Sequence, residues 1–314
     1  MSQITVNGVS IAYEVSGEGS PIVWTSGTWQ PRDPWTYVFA GQLSASYKVL
    51  TWDRRNSGAS DLAIEDAESE WHLWTDDLHA LLQELGMSPA YVGGGSAGSV
   101  LSLLMAHRYP KDVKGLILYV TPNDDVQNIL LPLAGAHYLC LAEAAEHEGM
   151  EAVIKMSADP PEPDWAEFTS WIADAIAQKP ETRDRLLSMD PGQFARTMRK
   201  WAKWVASPRL YLANLSDEEL AGIDVPALVA HGFDPWHPEH TARDLGRLLP
   251  NAEWVDFSSR YTRGEIQAIV ELYAEGDVGV STELAFRFPF CKDFLGRVES
   301  GQFETGKRTS SPGN

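Results

Sequence analysis

The 314-residue sequence predicts an α/β fold, with a mostly parallel eight-stranded sheet, helices on both faces and an inserted helical lid. Three observations predict this fold class. Short apolar runs alternate with amphipathic segments of helix length, a pattern typical of parallel sheets covered on both faces. A glycine-rich turn at residues 93–98 joins one of those runs to a buried helix. The alternation stops at residues 124–217, which are helical in pattern and rich in aromatic side chains.

The amino-terminal part of the chain supplies most of the strands. Residues 4–13 alternate apolar and polar side chains around an Asn-Gly pair, which predicts a β-hairpin. Leucines at helical spacing predict a helix over about residues 68–85, and Gly86 is placed to end it. Further strands are predicted at residues 21–25, 47–52, 90–93 and 113–120.

The carboxy-terminal part completes the alternation and sets the domain boundaries. Strands are predicted at residues 225–230 and 252–257, and an amphipathic helix at residues 265–275. We divide the chain into a core of residues 1–123 and 218–280, a helical lid of residues 124–217, and a C-terminal extension of residues 281–314 whose end is disordered.

The aromatic residues of the lid admit two interpretations. Either they pack helix against helix, or they line a pocket over the strand ends. They are Trp165, Phe168, Trp171, Trp201 and Trp204.

Composition excludes several classes of partner. The chain has 44 acidic and 25 basic residues, a net charge of −19, which argues against nucleic acid and anionic membrane surfaces as partners. Two cysteines form neither a disulfide framework nor a zinc motif, and the carboxylate runs lack other ligands at coordination spacing. The first residues show no apolar signal core. We expect a cytoplasmic protein with a small-molecule substrate, no metal or cofactor, and a homodimer as its assembly.

Ser96 is the candidate nucleophile because of the turn that holds it. A short strand runs into Gly94-Gly95-Ser96-Ala97-Gly98, and a helix follows over residues 97–109. In such a tight strand-to-helix turn the neighbours of the serine must be small, because its backbone is strained and close to an adjacent strand. The helix N-terminus also favours negative charge there. A glycine-rich turn that serves packing alone is the alternative.

At this point the sequence resembles the α/β-hydrolase superfamily, in the lid-bearing branch with esterases, lactonases and C–C bond hydrolases. The resemblance covers residues 3–275, and three stretches carry it besides the serine turn: residues 26–29, 53–61 and 225–234. It implies an oxyanion hole formed by the backbone N–H groups of Thr28 and Ala97. It also implies an acid at Asp234. Trp29 follows Thr28 directly, and either narrows the pocket or packs in the core.

The histidine that the resemblance implies as base is absent. The loop after the last strand, residues 258–264, contains no histidine, and none follows His240. His237 is the best replacement, since it lies in a loop stiffened by two prolines that borders the site in this fold. Its ring would be oriented by Asp234 or by Asp124. The alternative is that His237 only caps the helix that starts near residue 238.

Two other residues are candidates for the pocket, and two functions stay open. His137 would enter the pocket from the lid, and Tyr261 would hold a substrate oxygen near the vacated histidine position. The first function is a serine hydrolase that cleaves a small, partly apolar ester, lactone, thioester or C–C substrate through an acyl-serine. The second is a cofactor-free lyase, isomerase or cyclase, or an inactive binding protein, on the same fold.

Overall fold

An eight-stranded sheet forms the centre of the molecule. The computed structural model describes residues 1–27, 34–160, 168, 170–275 and 280–304. The strands lie in the order β1-β2-β4-β3-β5-β6-β7-β8. They are β1 (Ser2–Val6), β2 (Val9–Ser16), β3 (Ser20–Thr25), β4 (Tyr47–Trp52), β5 (Ala90–Gly95), β6 (Val113–Tyr119), β7 (Ala227–Ala230) and β8 (Ala252–Trp254).

Five of the seven strand pairs are parallel, so the predicted mostly parallel sheet is confirmed. The two antiparallel pairs lie at one edge, where β1 pairs with β2 and β2 with β4. Val6 and Val9 face each other across the predicted hairpin turn. Both turn residues, Asn7 and Gly8, have positive φ, as a two-residue hairpin loop requires.

Helices cover both faces of the sheet, as predicted. Side chains alternate along β6, where Leu116 and Leu118 face one apolar core and Ile117 faces the other. The helices are α1 (Pro34–Leu43), α2 (Glu70–Glu84), α3 (Ala97–Arg108), α4 (Leu131–Ala134), α5 (Cys140–Glu148), α6 (Met150–Ala158), α7 (Trp171–Gln178), α8 (Glu181–Leu187), α9 (Pro191–Val205), α10 (Asp217–Ala221), α11 (Glu239–Leu248), α12 (Arg263–Glu275) and α13 (Val280–Glu299). Within the described ranges, none of them is both long and apolar enough to cross a bilayer.

The described residues between β6 and β7 are mostly helical and include α4 to α10. We call residues 126–221 the helical insertion. Two π-helical segments, Val126–Leu130 and Gly135–Leu139, flank α4. The insertion rests on α2 of the sheet domain, since the Trp204 ring lies 5.1 Å from the Trp71 ring.

The C-terminal extension contains a long helix that the sequence analysis did not predict. Helix α13 packs against α1 and buries Cys291, Phe294 and Leu295 in the core on that face of the sheet. Pro289 lies inside it, and a proline removes a helical hydrogen bond and interrupts the sequence pattern of a helix. Residues 305–314, which contain the predicted disordered end, lie outside the described residues.

A buried carboxyl group joins the helical insertion to the sheet domain. Glu70, the first residue of α2, accepts hydrogen bonds from the Tyr138 hydroxyl at 2.6 Å and from Asn56 Nδ2 at 2.8 Å. Burial raises the pKa of Glu70 to about 7, although both hydrogen bonds and the charges of Arg54 and Arg55 oppose this shift. Glu70 therefore exchanges a proton near neutral pH inside the protein.

Replacing Glu70 should change how the stability of the protein depends on pH. Between pH 4.5 and about 7 the folded chain keeps a proton that the unfolded chain releases. Rising pH then lowers the free energy of unfolding, by about 3 kcal/mol in total for this group. Glu70→Gln removes this loss. Urea unfolding at intervals between pH 4.5 and 7.5 should show the variant gaining about 3 kcal/mol relative to the wild type. If the free energies of unfolding of the two proteins change with pH in parallel, the prediction is wrong.

Candidate active site

Ser96 lies between the end of β5 and the start of α3 with a left-handed backbone. Its φ is +51° and its ψ is −119°. Such a conformation in a non-glycine residue costs about 1–3 kcal/mol and persists only where the surroundings impose it. Here the Ser96 N–H donates to the carbonyls of Tyr119 and Val120, both at 3.1 Å. The Ser96 side chain makes no capping hydrogen bond with α3, so its hydroxyl is available for chemistry.

The glycines around Ser96 are required by close backbone packing. A Cβ on Gly98 would lie 2.3 Å from the Thr25 carbonyl oxygen, and one on Gly94 would lie 2.6 Å from the same atom. The start of α3 therefore packs directly on the end of β3. Small neighbours were predicted for a nucleophile turn, and Gly94, Gly95, Ala97 and Gly98 stand around the strained Ser96.

One side of the predicted oxyanion hole lies within the described chain. Ala97 is in the first turn of α3, where backbone N–H groups have no partner inside the helix. Its carbonyl accepts a hydrogen bond from Trp71 Nε1 at 3.3 Å, which fixes this turn. The other predicted donor, Thr28, and the predicted pocket residue Trp29 lie outside the described residues.

The chain just before Thr28 approaches Ser96 and is held by a buried arginine. A Cβ on Gly27 would lie 3.3 Å from the Ser96 Cβ. The Arg54 guanidinium donates to the carbonyls of Ser26 and Gly27, at 3.3 and 3.1 Å. Arg54 therefore stabilises this turn.

His237 and Asp234 form a histidine–carboxylate pair. His237 Nδ1 lies 3.0 Å from each carboxylate oxygen of Asp234. Burial alone would raise the pKa of Asp234, but the bond and charge of His237 and backbone N–H groups hold this pKa below its ordinary value. An ionised carboxylate only accepts hydrogen bonds, so Nδ1 carries the proton. The lone pair of Nε2 is then free to accept a proton.

Backbone packing sets the position of His237. The Gly232 N–H donates to the His237 carbonyl at 2.9 Å, and a Cβ on Gly232 would lie 2.4 Å from the His237 Cβ. The alternative role for His237, as a cap of α11, is wrong. Pro238 is the N-cap residue of α11, and the His237 ring bonds to Asp234 instead.

Ser96 and His237 lie on the wall of one cavity of about 340 Å³. No hydrogen bond joins these two described residues. Catalytic hydrogen bonds are often open in a protein without substrate, so their shared cavity is the relevant observation. The full lining is Trp71, Ser96, Ala97, Val100, Pro122, Asn123, Ile129, Leu130, Leu133, Phe168, Leu210, Trp236 and His237.

Two predicted site residues, Asp124 and His137, are absent from the cavity lining. Asp124 pairs with His240 Nε2 at 2.9 Å, and both side chains are exposed. His137 is buried in the helical insertion, where Nδ1 lies 2.5 Å from the Phe168 carbonyl. Burial lowers the pKa of His137 to about 3, so its imidazole is neutral. It therefore supports Phe168, which lines the cavity.

Tyr261, the third described pocket candidate outside the lining, packs in the loop after β8, where the resemblance implied a histidine. Its hydroxyl donates to the Phe286 carbonyl at 3.0 Å, and its ring stacks on the Phe286 ring at 3.9 Å. Phe257 stacks on the same ring at 5.2 Å. The loop after β8 is therefore packed against α13 by aromatic contacts, rather than turned towards Ser96.

Several cavity residues were missed by the sequence analysis. Trp71, Asn123 and Trp236 all line the cavity with Ser96. Asn123 and Trp236 stand next to Asp124 and His237, which the sequence had singled out, so their position at strand ends was the available signal. Of the aromatic residues in the insertion, Phe168 lines the cavity, whereas Trp171, Trp201 and Trp204 are buried by packing. Trp165 lies outside the described residues.

Among the residues that the structure describes, no three His, Cys, Asp or Glu side chains converge as a set of metal ligands.

Comparisons with known proteins agree with this fold. A family model described as alpha/beta hydrolase fold matches residues 30–260. The uncharacterized hydrolase YraK of Bacillus subtilis (strain 168) is 38% identical over 116 residues, which are 36% of this chain and 42% of that protein. The chain thus spans less than half the length of this relative.

Two further relatives match over more of their length. A proline iminopeptidase of Lactobacillus delbrueckii subsp. lactis is 26% identical over 224 residues, which are 67% of this chain and 72% of that protein. The crystal structure of the enol-lactonase from Burkholderia xenovorans LB400 superposes with a TM-score of 0.51 at 20% identity. That match covers 91% of this chain and 99% of the enol-lactonase, and it shows a shared fold.

Proposed function

The chain belongs to the α/β-hydrolase fold family, and we propose that it is a serine hydrolase with Ser96 as nucleophile and His237 as base. The observation that carries the proposal is that Ser96 and His237 line one cavity while Asp234 binds the far side of the histidine ring. This arrangement has the parts of a serine–histidine–acid triad, but takes its histidine from the loop after β7.

The reaction follows from the groups present. His237 Nε2 takes the Ser96 hydroxyl proton as Oγ attacks the substrate carbonyl carbon. Asp234 holds the ring and stabilises the imidazolium that forms. The N–H of Ala97, with that of Thr28 as the family resemblance implies, stabilises the oxyanion, and each such donor is worth about 2.7–4 kcal/mol. His237 then protonates the leaving group, and water hydrolyses the acyl-serine by the same steps in reverse order.

The cavity supports a small and partly apolar substrate. Its volume of about 340 Å³ is at the lower end of the range for ligand pockets. Besides His237, the described lining has no charged side chain, and its polar groups are those of Ser96 and Asn123 with the indoles. We therefore propose that the substrate is a neutral ester, lactone or thioester, or a compound whose C–C bond is hydrolysed.

The helical insertion acts as the lid in this proposal. It supplies the apolar residues of the cavity wall that accompany the serine turn: Ile129, Leu130, Leu133, Phe168 and Leu210. The cytoplasmic location and the homodimer stay predictions. Both cysteines, Cys140 and Cys291, are free thiols, in keeping with a reducing compartment.

Covalent labelling by a fluorophosphonate tests the proposal, because the probe reacts with an activated serine. We expect labelling at Ser96 at neutral pH, and none in Ser96→Ala. His237→Ala should slow labelling by about 10³-fold or more. His240→Ala is the matched control, since His240 pairs with Asp124 outside the cavity lining and should leave the rate unchanged. Intact mass and peptide mapping would follow the adduct.

Two results would contradict the assignment. If the wild-type protein is not labelled at neutral pH, the proposal of a serine hydrolase is wrong and the non-hydrolytic alternative is favoured. If His237→Ala is labelled at the wild-type rate, the base is misassigned.

The charge preference of the cavity gives a separate prediction. A carboxylate buried in this wall would lose its hydration without a cation to pair with. We expect kcat/KM for an aryl butyrate to exceed that for the matching aryl hemisuccinate by about 100-fold or more. Leu133→Arg adds a cation to the cavity wall and should lower the ratio of the two kcat/KM values. Equal activity on both esters would show that the acyl group does not enter the described cavity.

A further inference from the structure

Asn123 joins the loop after β6 to the loop that carries His237. Its backbone N–H donates to the Trp236 carbonyl at 2.8 Å, and its side-chain Nδ2 donates to the Pro235 carbonyl at 2.5 Å. Its Oδ1 accepts the Asp125 N–H at 2.9 Å. Asn123 thus binds two consecutive carbonyls immediately before His237, and it uses its amide oxygen to fix its own loop.

The peptide groups before His237 are held from the opposite side as well. The Trp236 N–H donates to Asp234 Oδ1 at 2.8 Å, and the His237 N–H donates to the Asp234 carbonyl at 3.2 Å. With Asn123 on their carbonyls, the peptides on both sides of Trp236 are fixed in orientation. The direction in which the His237 side chain leaves the backbone follows from that orientation.

The segment that carries His237 needs an anchor outside itself to keep the proposed base in place. Trp236 is half exposed, and its segment turns at the surface of the protein. Apart from those with Asn123, the hydrogen bonds of residues 235–237 go to Asp234 and Gly232. A displacement of 1 Å at a reacting group can slow a reaction about 100-fold, so such an anchor matters for catalysis.

We infer that Asn123 is a positioning residue that sets the place of His237 relative to Ser96. This inference rests on the proposed function, in which His237 is the base. An amide suits this position, because its nitrogen donates to one carbonyl while its oxygen accepts from a backbone N–H. An aspartate of the same shape has no proton for the Pro235 carbonyl and would bring two acceptors together.

Labelling rates of Ser96 by the fluorophosphonate test this role. Asn123→Ala and the isosteric Asn123→Asp should each slow labelling about 10- to 100-fold. Asn128→Ala is the matched control. Asn128 is an exposed amide of the neighbouring helical start that bonds only with Asp125, and its loss should leave the rate unchanged.

A double-mutant cycle separates positioning from a direct effect of Asn123 on the substrate. If Asn123 acts through His237, Asn123→Ala should cause no further loss in a His237→Ala background. An equal loss in both backgrounds would overturn the inference, because Asn123 would then act as a pocket residue by itself. Wild-type labelling in both Asn123 variants would overturn it too.

Hydrogen–deuterium exchange keeps this test distinct from that of the proposed function. The backbone amides of Phe233, Asp234, Trp236 and His237 should exchange faster in Asn123→Ala and Asn123→Asp than in the wild type or in Asn128→Ala. Unchanged exchange would overturn the anchoring role whatever His237 does. If exchange rises but His237→Ala labels like the wild type, the proposed base is wrong, and with it the claim that Asn123 positions a base.

Discussion

The left-handed backbone of Ser96 is the constraint on which the rest of the site depends. A φ of +51° turns the chain from β5 into α3 within one residue and leaves the hydroxyl outside the helix. On both sides of this turn the chain is in contact with β3. Gly94 and Gly98 make that contact possible, because a Cβ on either would collide with the Thr25 carbonyl. The start of α3, the end of β3 and Ser96 are therefore one packed unit.

The same unit extends across the sheet to His237, the proposed base. The Ser96 N–H bonds to the Val120 carbonyl, and the Val120 N–H bonds to the Ala230 carbonyl at 2.8 Å. Val120 itself has a φ of +46°, which is unfavourable for a β-branched residue and marks a second strained strand end beside the first. Asn123 continues this series of bonds to the segment before His237. A histidine after β7 can thus stand in a fixed relation to Ser96 without any contribution from the loop after β8.

The sequence predicted what depends on local pattern. The strands, the hairpin, helices α2 and α3 and the serine turn all follow from periodicity and from residues that tolerate a special backbone. Helix α13 was missed because Pro289 interrupts its pattern and because its apolar residues make sense only against α1. Tyr261 and His137 were placed near the site by their positions in the chain, but tertiary packing decides where side chains point. Asn123 was missed although it follows β6 closely, since its bonds to Pro235 and Trp236 require the neighbouring loop.

The distance between two atoms in a trapped adduct tests the central claim most directly. A crystal structure of the protein with a phosphonate on Ser96 would capture the site as it is after attack. Our account predicts that His237 Nε2 lies within about 2.6–3.2 Å of Ser96 Oγ or of the leaving-group position. It also predicts that Nδ1 stays bonded to Asp234. A His237 ring turned away from the adduct, with another side chain bonded to Ser96 Oγ, would contradict it.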